Sequence, residues 1–172
     1  MYERGEYEDG RSFTDQAYRI GEDLHEDNPS LDRNNLLDLR SQVYYTLGAI
    51  AQITHKKSES LDMHAKMLIL RKNLQSERHN GDTLLAHAYN EIGNDFMTDG
   101  EYKIAVGFYE TSIEIYERID DFMPSWLALS SVNLGLAHWL QGNHEKAFKI
   151  VKQALDEQER AMGGPDDSLT MK

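Results

Sequence analysis

Gly48, Gly93 and Gly135 constrain this chain more than any other residues, because the side chains downstream of each keep one spacing. Twelve residues on stands a small side chain, Ser60, Ala105 or Ala147, and four further a bulkier one, His64, Tyr109 or Val151. Three beyond that come Met67, Ser112 and Ala154. The glycines themselves lie 45 and 42 residues apart, so the unit is rigid and the joint between units varies. A glycine inside a helix costs about 1 kcal/mol against alanine, and three at one register need a packing reason. Close approach of a second helix supplies it, with Ala105 expected to face Gly93 and Ala147 to face Gly135. Two-helix units stacked side by side satisfy all of these spacings.

The chain divides on that register. Residues 1–24 read as a partial repeat holding only a second helix, with Phe13, Ala17 and Ile20 on one face against the next unit. Residues 25–34 are rich in turn formers and read as a connecting loop. The first complete unit, 35–76, carries helices over 35–54 and 58–76, the former with a stripe of Leu36, Leu39, Val43, Leu47 and Ala51. The second unit, 83–120, carries helices over 84–98 and 101–119. Asp82 or Thr83 is placed to cap the first of these, and Gly100 to end it in the left-handed conformation. The third, 121–162, carries helices over 124–140 and 144–161, with Pro124 suited to a first helical position. Residues 163–172 read as the start of a truncated further repeat. Uncovered apolar faces at the two ends lead to the expectation of self-association through them.

Composition removes several function classes. With no cysteine there are no disulfides and no cysteine-based zinc sites or nucleophiles. A net charge of -12 disfavours nucleic acid and membrane surfaces as partners and favours a basic one. No stretch approaches the roughly 18 apolar residues of a membrane span, and the acidic N-terminus holds no signal peptide, so a cytoplasmic protein is expected.

One stretch carries a family likeness. Tyr89, Ile92, Gly93 and Phe96, then Ala105 and Tyr109, form a pattern that closely resembles the tetratricopeptide repeat. The resemblance implies an all-α fold, a right-handed superhelical solenoid of antiparallel helix hairpins. The 42-residue interval exceeds the usual period of about 34, and Gly164-Pro165 with Leu169-Thr170 looks like the joint of the kinesin-light-chain and MalT-like branch. Tyr89–Gly93 and Asn133–Gly142 also resemble repeats attached to nucleotide-binding signalling ATPases. The family implies a scaffold or adaptor that binds an extended peptide or a partner protein. The alternative is a sensor array of a larger ATPase, with no catalysis in this segment.

Nothing in the sequence points to an enzyme or a cofactor. Phosphate loops, dinucleotide fingerprints, serine elbows and paired zinc histidines are all missing. His138, His144 and Glu145 are close in sequence, but His138 falls where the second unit has Phe96 and reads as a core imidazole. The family lines its concave groove with the first helix of each hairpin, which implies a peptide-binding set of Gln42, Tyr45, His87, Asn90, Asn94, Asn133 and Trp139. Asn90 and Asn94, four apart on one face, are expected to hold one extended backbone. The lysines and arginines with which chaperone adaptors clamp a C-terminal carboxylate are replaced here by Tyr45, Ala49, Glu91, Leu129 and Asn133. A partner with apolar anchors and basic flanks is expected, because Glu91 is the only charge in that set.

Overall fold

The computed structural model describes residues 7, 9–16, 19, 33–75, 82–119 and 124–161. Six long helices succeed one another: α1 Arg33–Ile53, α2 Lys57–Gln75, α3 Thr83–Thr98, α4 Tyr102–Tyr116, α5 Pro124–Leu140 and α6 His144–Ala161. Among the described residues none lies in a strand. The densest contacts run within the pairs α1–α2, α3–α4 and α5–α6, and the second helix of each hairpin then packs on the first helix of the next. First helices of successive hairpins touch far less, as α3 and α5 show. The stack of hairpins read from the glycine spacing is therefore present, with helix ends within a few residues of the expected ones. The loop expected over 25–34 and the trailing segment 163–172 fall outside the described residues, except that Arg33 and Asn34 already belong to α1.

All three hairpins close with the same turn. The amide of Lys56, Glu101 or Asn143 donates to the carbonyl of Ala51, Phe96 or His138, five residues back, at 2.8–2.9 Å. One residue earlier, the amide of His55, Gly100 or Gly142 donates to Gln52, Met97 or Trp139. This pair of bonds is the Schellman motif, which requires a left-handed residue just past the helix end. Gly100 and Gly142 adopt it at φ 80° and 82°, and in the first hairpin His55 does so at φ 60°. An L side chain in that conformation is strained. We expect His55→Gly to raise stability by roughly 1 kcal/mol, read as a higher denaturant midpoint.

Close approach of the second helix accounts for the three helical glycines, as expected, but the side chain that presses closest is not the small one, although Ala147 O lies 3.4 Å from a Cβ built on Gly135. Ala105 and Ala147 are buried, but a Cβ on Gly93 would meet the ring of Tyr109 at 2.6 Å, and one on Gly135 would clash with Val151 Cγ2. On Gly48 it would clash with the His64 ring. Each glycine thus makes a slot for the bulky residue sixteen positions on, one helical turn beyond the small one. Around the second slot, Phe96 stacks on Phe108 at 5.4 Å and Tyr89 leans on Phe108 at 6.2 Å.

At the N-terminal end, residues 9–16 are helical. Gly10 lies against Ile50, and Arg11 pairs with Glu59, so this stretch rests on the first hairpin. Phe13 was expected to make that contact and does not; it is 70% exposed. Ala17 and Ile20 are outside the residues whose side chains are described.

Candidate functional site

The three asparagines expected to hold a ligand are hydrogen-bonded to one another across the second and third hairpins. Asn90 is 1% exposed. Its Oδ1 accepts from Ser130 Oγ at 3.2 Å and from Asn133 Nδ2 at 3.1 Å, while its Nδ2 donates to Glu91 Oε1 at 3.2 Å. Asn94 Oδ1 accepts from the Tyr109 hydroxyl at 2.8 Å and from Asn133 Nδ2 at 3.2 Å, and Asn94 Nδ2 donates to Glu91 Oε2 at 3.2 Å. Ser112 Oγ, bonded to the Ala86 carbonyl at 2.8 Å, lies 3.0 Å from Ser130 Oγ and closes the far side. A buried polar group without a partner costs about 1–3 kcal/mol, and here the amides satisfy one another across α3, α4 and α5.

Glu91 sits at the centre of this network. It was expected to be the charge of the groove, yet it is 8% exposed. His87 Nε2 lies 3.6 Å from its Oε1. The carboxylate marks its neighbours electrostatically. Burial first, and then the negative field of Glu91, pushes the Tyr45, Tyr109 and Tyr116 phenols above their ordinary range, with Asp95 adding to the effect at Tyr109. These hydroxyls therefore stay protonated at neutral pH.

A second network joins the first two hairpins. Asp95 Oδ1 accepts from Ser60 Oγ at 2.6 Å, and Asp95 Oδ2 accepts from His64 Nδ1 at 2.7 Å. Serine, histidine and aspartate side by side suggest a nucleophilic triad, but the connectivity is wrong for one. The carboxylate takes the serine proton that an imidazole would have to take, and His64 Nε2 is buried against Gly48 with no partner. Among the described residues no three His, Asp or Glu side chains converge to hold a metal ion. His138 is buried, as a core imidazole was expected to be, and His144 packs on the Trp139 ring at 4.2 Å.

Removing Asn90 and Glu91 from the exposed set leaves a graded surface along the first helices. At its start, Gln42 is exposed, with its Nε2 donating to Asp38 Oδ2 at 2.8 Å. Tyr45 on α1 meets His87 on α3 edge to face at 5.0 Å, and His87 lies 6.2 Å from the Trp126 ring on α5. This row of rings crosses three hairpins, and Asn94 and Asn133 are half-buried beside it. At its end α5 is apolar, with Leu129, Val132, Leu136 and Trp139 between 45% and 53% exposed. Polar at one end and greasy at the other, the surface has a direction.

A family model described as tetratricopeptide repeat matches residues 84–160, spanning the second and third hairpins. Over these residues the sequence is similar to tetratricopeptide repeats. The fold of the whole chain agrees with that match. The crystal structure of BtubC (BKLC) from P. vanneervenii superposes with a TM-score of 0.75 at 20% identity, covering 94% of this chain and 59% of that one. This chain therefore spans about three fifths of BtubC. Two crystal structures of MamA superpose at TM-scores of 0.57 and 0.56, each at 20% identity, covering 87% and 95% of this chain and 75% and 99% of theirs. No curated protein matches the sequence. Tetratricopeptide arrays are scaffolds for protein interaction, built so that stacking leaves one extended face free. No described helix is long and apolar enough to cross a membrane.

Two histidines give the helical stack an acid limit. Burial, reinforced by Lys146 and opposed by Glu110, holds His138 below its ordinary pKa of 6.5. Burial also lowers His87, against the pull of Glu91. A base with a depressed folded pKa binds fewer protons folded than unfolded, so its contribution is complete above about pH 6.5 and is lost as pH falls. Neither ring nitrogen of His138 has a partner to soften that loss. Denaturant midpoints are expected to fall between about pH 7.5 and 5, and His138→Phe, which copies Phe96, to flatten the fall. An equal fall in that variant would assign it elsewhere.

Proposed function

We propose that this chain is a protein-interaction scaffold whose first helices hold an extended peptide. The peptide's polar backbone lies along Gln42, Tyr45 and His87, and its apolar side chains anchor on Leu129 and Trp139. The observation that carries this reading is the exposure of Trp139, 53%, with Leu129, Val132 and Leu136 exposed on the same helix. Tryptophan is among the residues most enriched at binding hot spots. Asn94 and Asn133 border the same face, but their amides act first as staples between hairpins, so they tune the groove more than they read the ligand. The 42-residue interval and the joint at Gly164–Thr170 support a place in the kinesin-light-chain-like branch. The chain's net charge of -12 supports a ligand with basic flanks.

A peptide array and subsequent calorimetry test this. Trp139→Ala is expected to weaken a selected basic-flanked peptide about tenfold, the effect of a moderate hot spot. Tight binding of a free acidic C-terminal tail, indifferent to substitution at Tyr45, His87 and Trp139, would overturn the reading.

A further inference from the structure

Among the described residues three carboxylates are buried, and two of them face a basic side chain closely enough to share a network with it. Asp82 has the Arg71 guanidinium at 3.6 Å, and Asp95 is bonded to His64 Nδ1 at 2.7 Å. Glu91 is the exception. Its oxygens accept one amide proton each, from Asn90 and from Asn94, and an amide brings no charge. Among the described residues its salt-bridge partner is His87 alone, with Nε2 at 3.6 Å. Burial holds that imidazole below its ordinary pKa, so at neutral pH it is uncharged and supplies no counter-ion. A buried carboxylate without a cation is costly to keep.

The repeat itself does not ask for this charge. Two residues before each helical glycine stand Thr46, Glu91 and Asn133, so the other two hairpins fill the same register with neutral groups. What surrounds Glu91 on the groove side is aromatic. His87 lies one helical turn before it on α3, 5.0 Å from the Tyr45 ring of α1 and 6.2 Å from the Trp126 ring of α5. The negative field of Glu91 reaches the Tyr45 phenol, which places the carboxylate close to the same row. The row is not sealed: the His87 and Glu91 side chains keep 19% and 11% of their surface, and Tyr45 and Trp126 are half-buried. A carboxylate has about four acceptor positions, and the two asparagines use one on each oxygen. One position on each oxygen is left. A guanidinium carries two parallel N–H donors that match such a pair, and its plane stacks on aromatic rings; an ammonium has no such fork.

We propose that Glu91 and the rings of Tyr45, His87 and Trp126 form a seat for one arginine side chain of a partner polypeptide. The guanidinium forks onto the Glu91 carboxylate, and its stem and face lie against the rings. The proposal rests on the groove reading and names one subsite within it. It gives the basic flank of the ligand a residue type and a place.

The probe is the peptide acetyl-Gly-Gly-Arg-Gly-Gly-amide, with counterparts carrying lysine or citrulline, the uncharged isostere, in place of arginine. None has an apolar anchor, so the series reads the seat apart from the rest of the groove. The chain has two tryptophans, Trp126 and Trp139, and each gives one indole N–H signal in NMR. Titration of the arginine peptide into the full chain is expected to shift the Trp126 signal saturably and to leave that of Trp139 in place. Citrulline should weaken binding about tenfold or more, and lysine severalfold. Glu91→Gln should bring the arginine and citrulline peptides to equal affinity, with circular dichroism as the check on folding. If that variant does not fold, the arginine-to-citrulline ratio on the unaltered chain still decides. Equal binding of those two peptides, or an unmoved Trp126 signal, would overturn the proposal. Lysine binding as tightly as arginine would overturn the assignment of a guanidinium. Failure of the seat is distinguishable from failure of the groove, because an apolar-anchored peptide that depends on Trp139 can still bind when the arginine series shows nothing.

Discussion

Replacing Arg71 by methionine is expected to cost about 3–5 kcal/mol, the usual penalty for stranding one side of a buried ion pair. Arg71 is 0% exposed. Its Nη1 lies 2.5 Å from Asp38 Oδ1 on α1 and 3.6 Å from Asp82 Oδ2 at the start of α3, so one guanidinium from α2 ties three helices and two hairpins. Asp82 is itself 3% exposed and caps α3 by accepting from the Leu84 amide at 3.0 Å. Methionine roughly keeps the apolar volume of the arginine stem and removes only the charge, leaving the Asp82 carboxylate buried without a counter-ion. The double variant Arg71→Met with Asp82→Asn is expected to recover much of the loss, because asparagine caps a helix as well as aspartate and carries no charge to bury. Urea midpoints of both variants decide it. A single variant within about 1 kcal/mol of wild type would show that the pair contributes no more than an exposed one.

The periodic part of this architecture was legible in the sequence and the directional part was not. Helix positions, the left-handed Gly100, a cap at Asp82 or Thr83, and burial of Ala105 and Ala147 all come from spacing, because each is a local demand of backbone geometry or of a helix crossing. What spacing cannot give is which way a side chain turns once hairpins stack. Asn90, Asn94 and Asn133 sit at groove registers, yet their amides turn toward each other because Ser130 and Tyr109 bring complementary groups within reach. One signal was available: Ser112 and Ser130 are small polar residues at registers that burial should have made apolar. A serine in that place announces a buried polar partner. Arg71 carried the opposite disguise, since an arginine at a core register reads as an exposed one until Asp38 and Asp82 are placed beside it.

Tyr109→Ala is expected to cost about 3–5 kcal/mol, the range for emptying a buried aromatic site. The ring fills the slot opened by Gly93, at 1% exposure, and its hydroxyl donates to Asn94 Oδ1 at 2.8 Å. Two losses therefore combine, and a second substitution separates them. Tyr109→Phe keeps the ring over the glycine and removes only the donor. It should cost about 0.5–1.5 kcal/mol, because Asn94 Oδ1 still accepts from Asn133. The slot has a complementary test from its other wall. Gly93→Ala places a methyl 2.6 Å from the Tyr109 ring edge, a separation that a packed core does not tolerate, so the ring or the helix must shift. Overpacking of that size costs about 1–3 kcal/mol despite the better helix propensity of alanine. Combined with Tyr109→Ala, however, the added methyl enters vacated space, and Gly93→Ala should then be neutral or stabilising. The sign change is the decisive outcome. If Gly93→Ala costs the same with and without the tyrosine, the glycine answers to its own helix and not to the ring that crosses it.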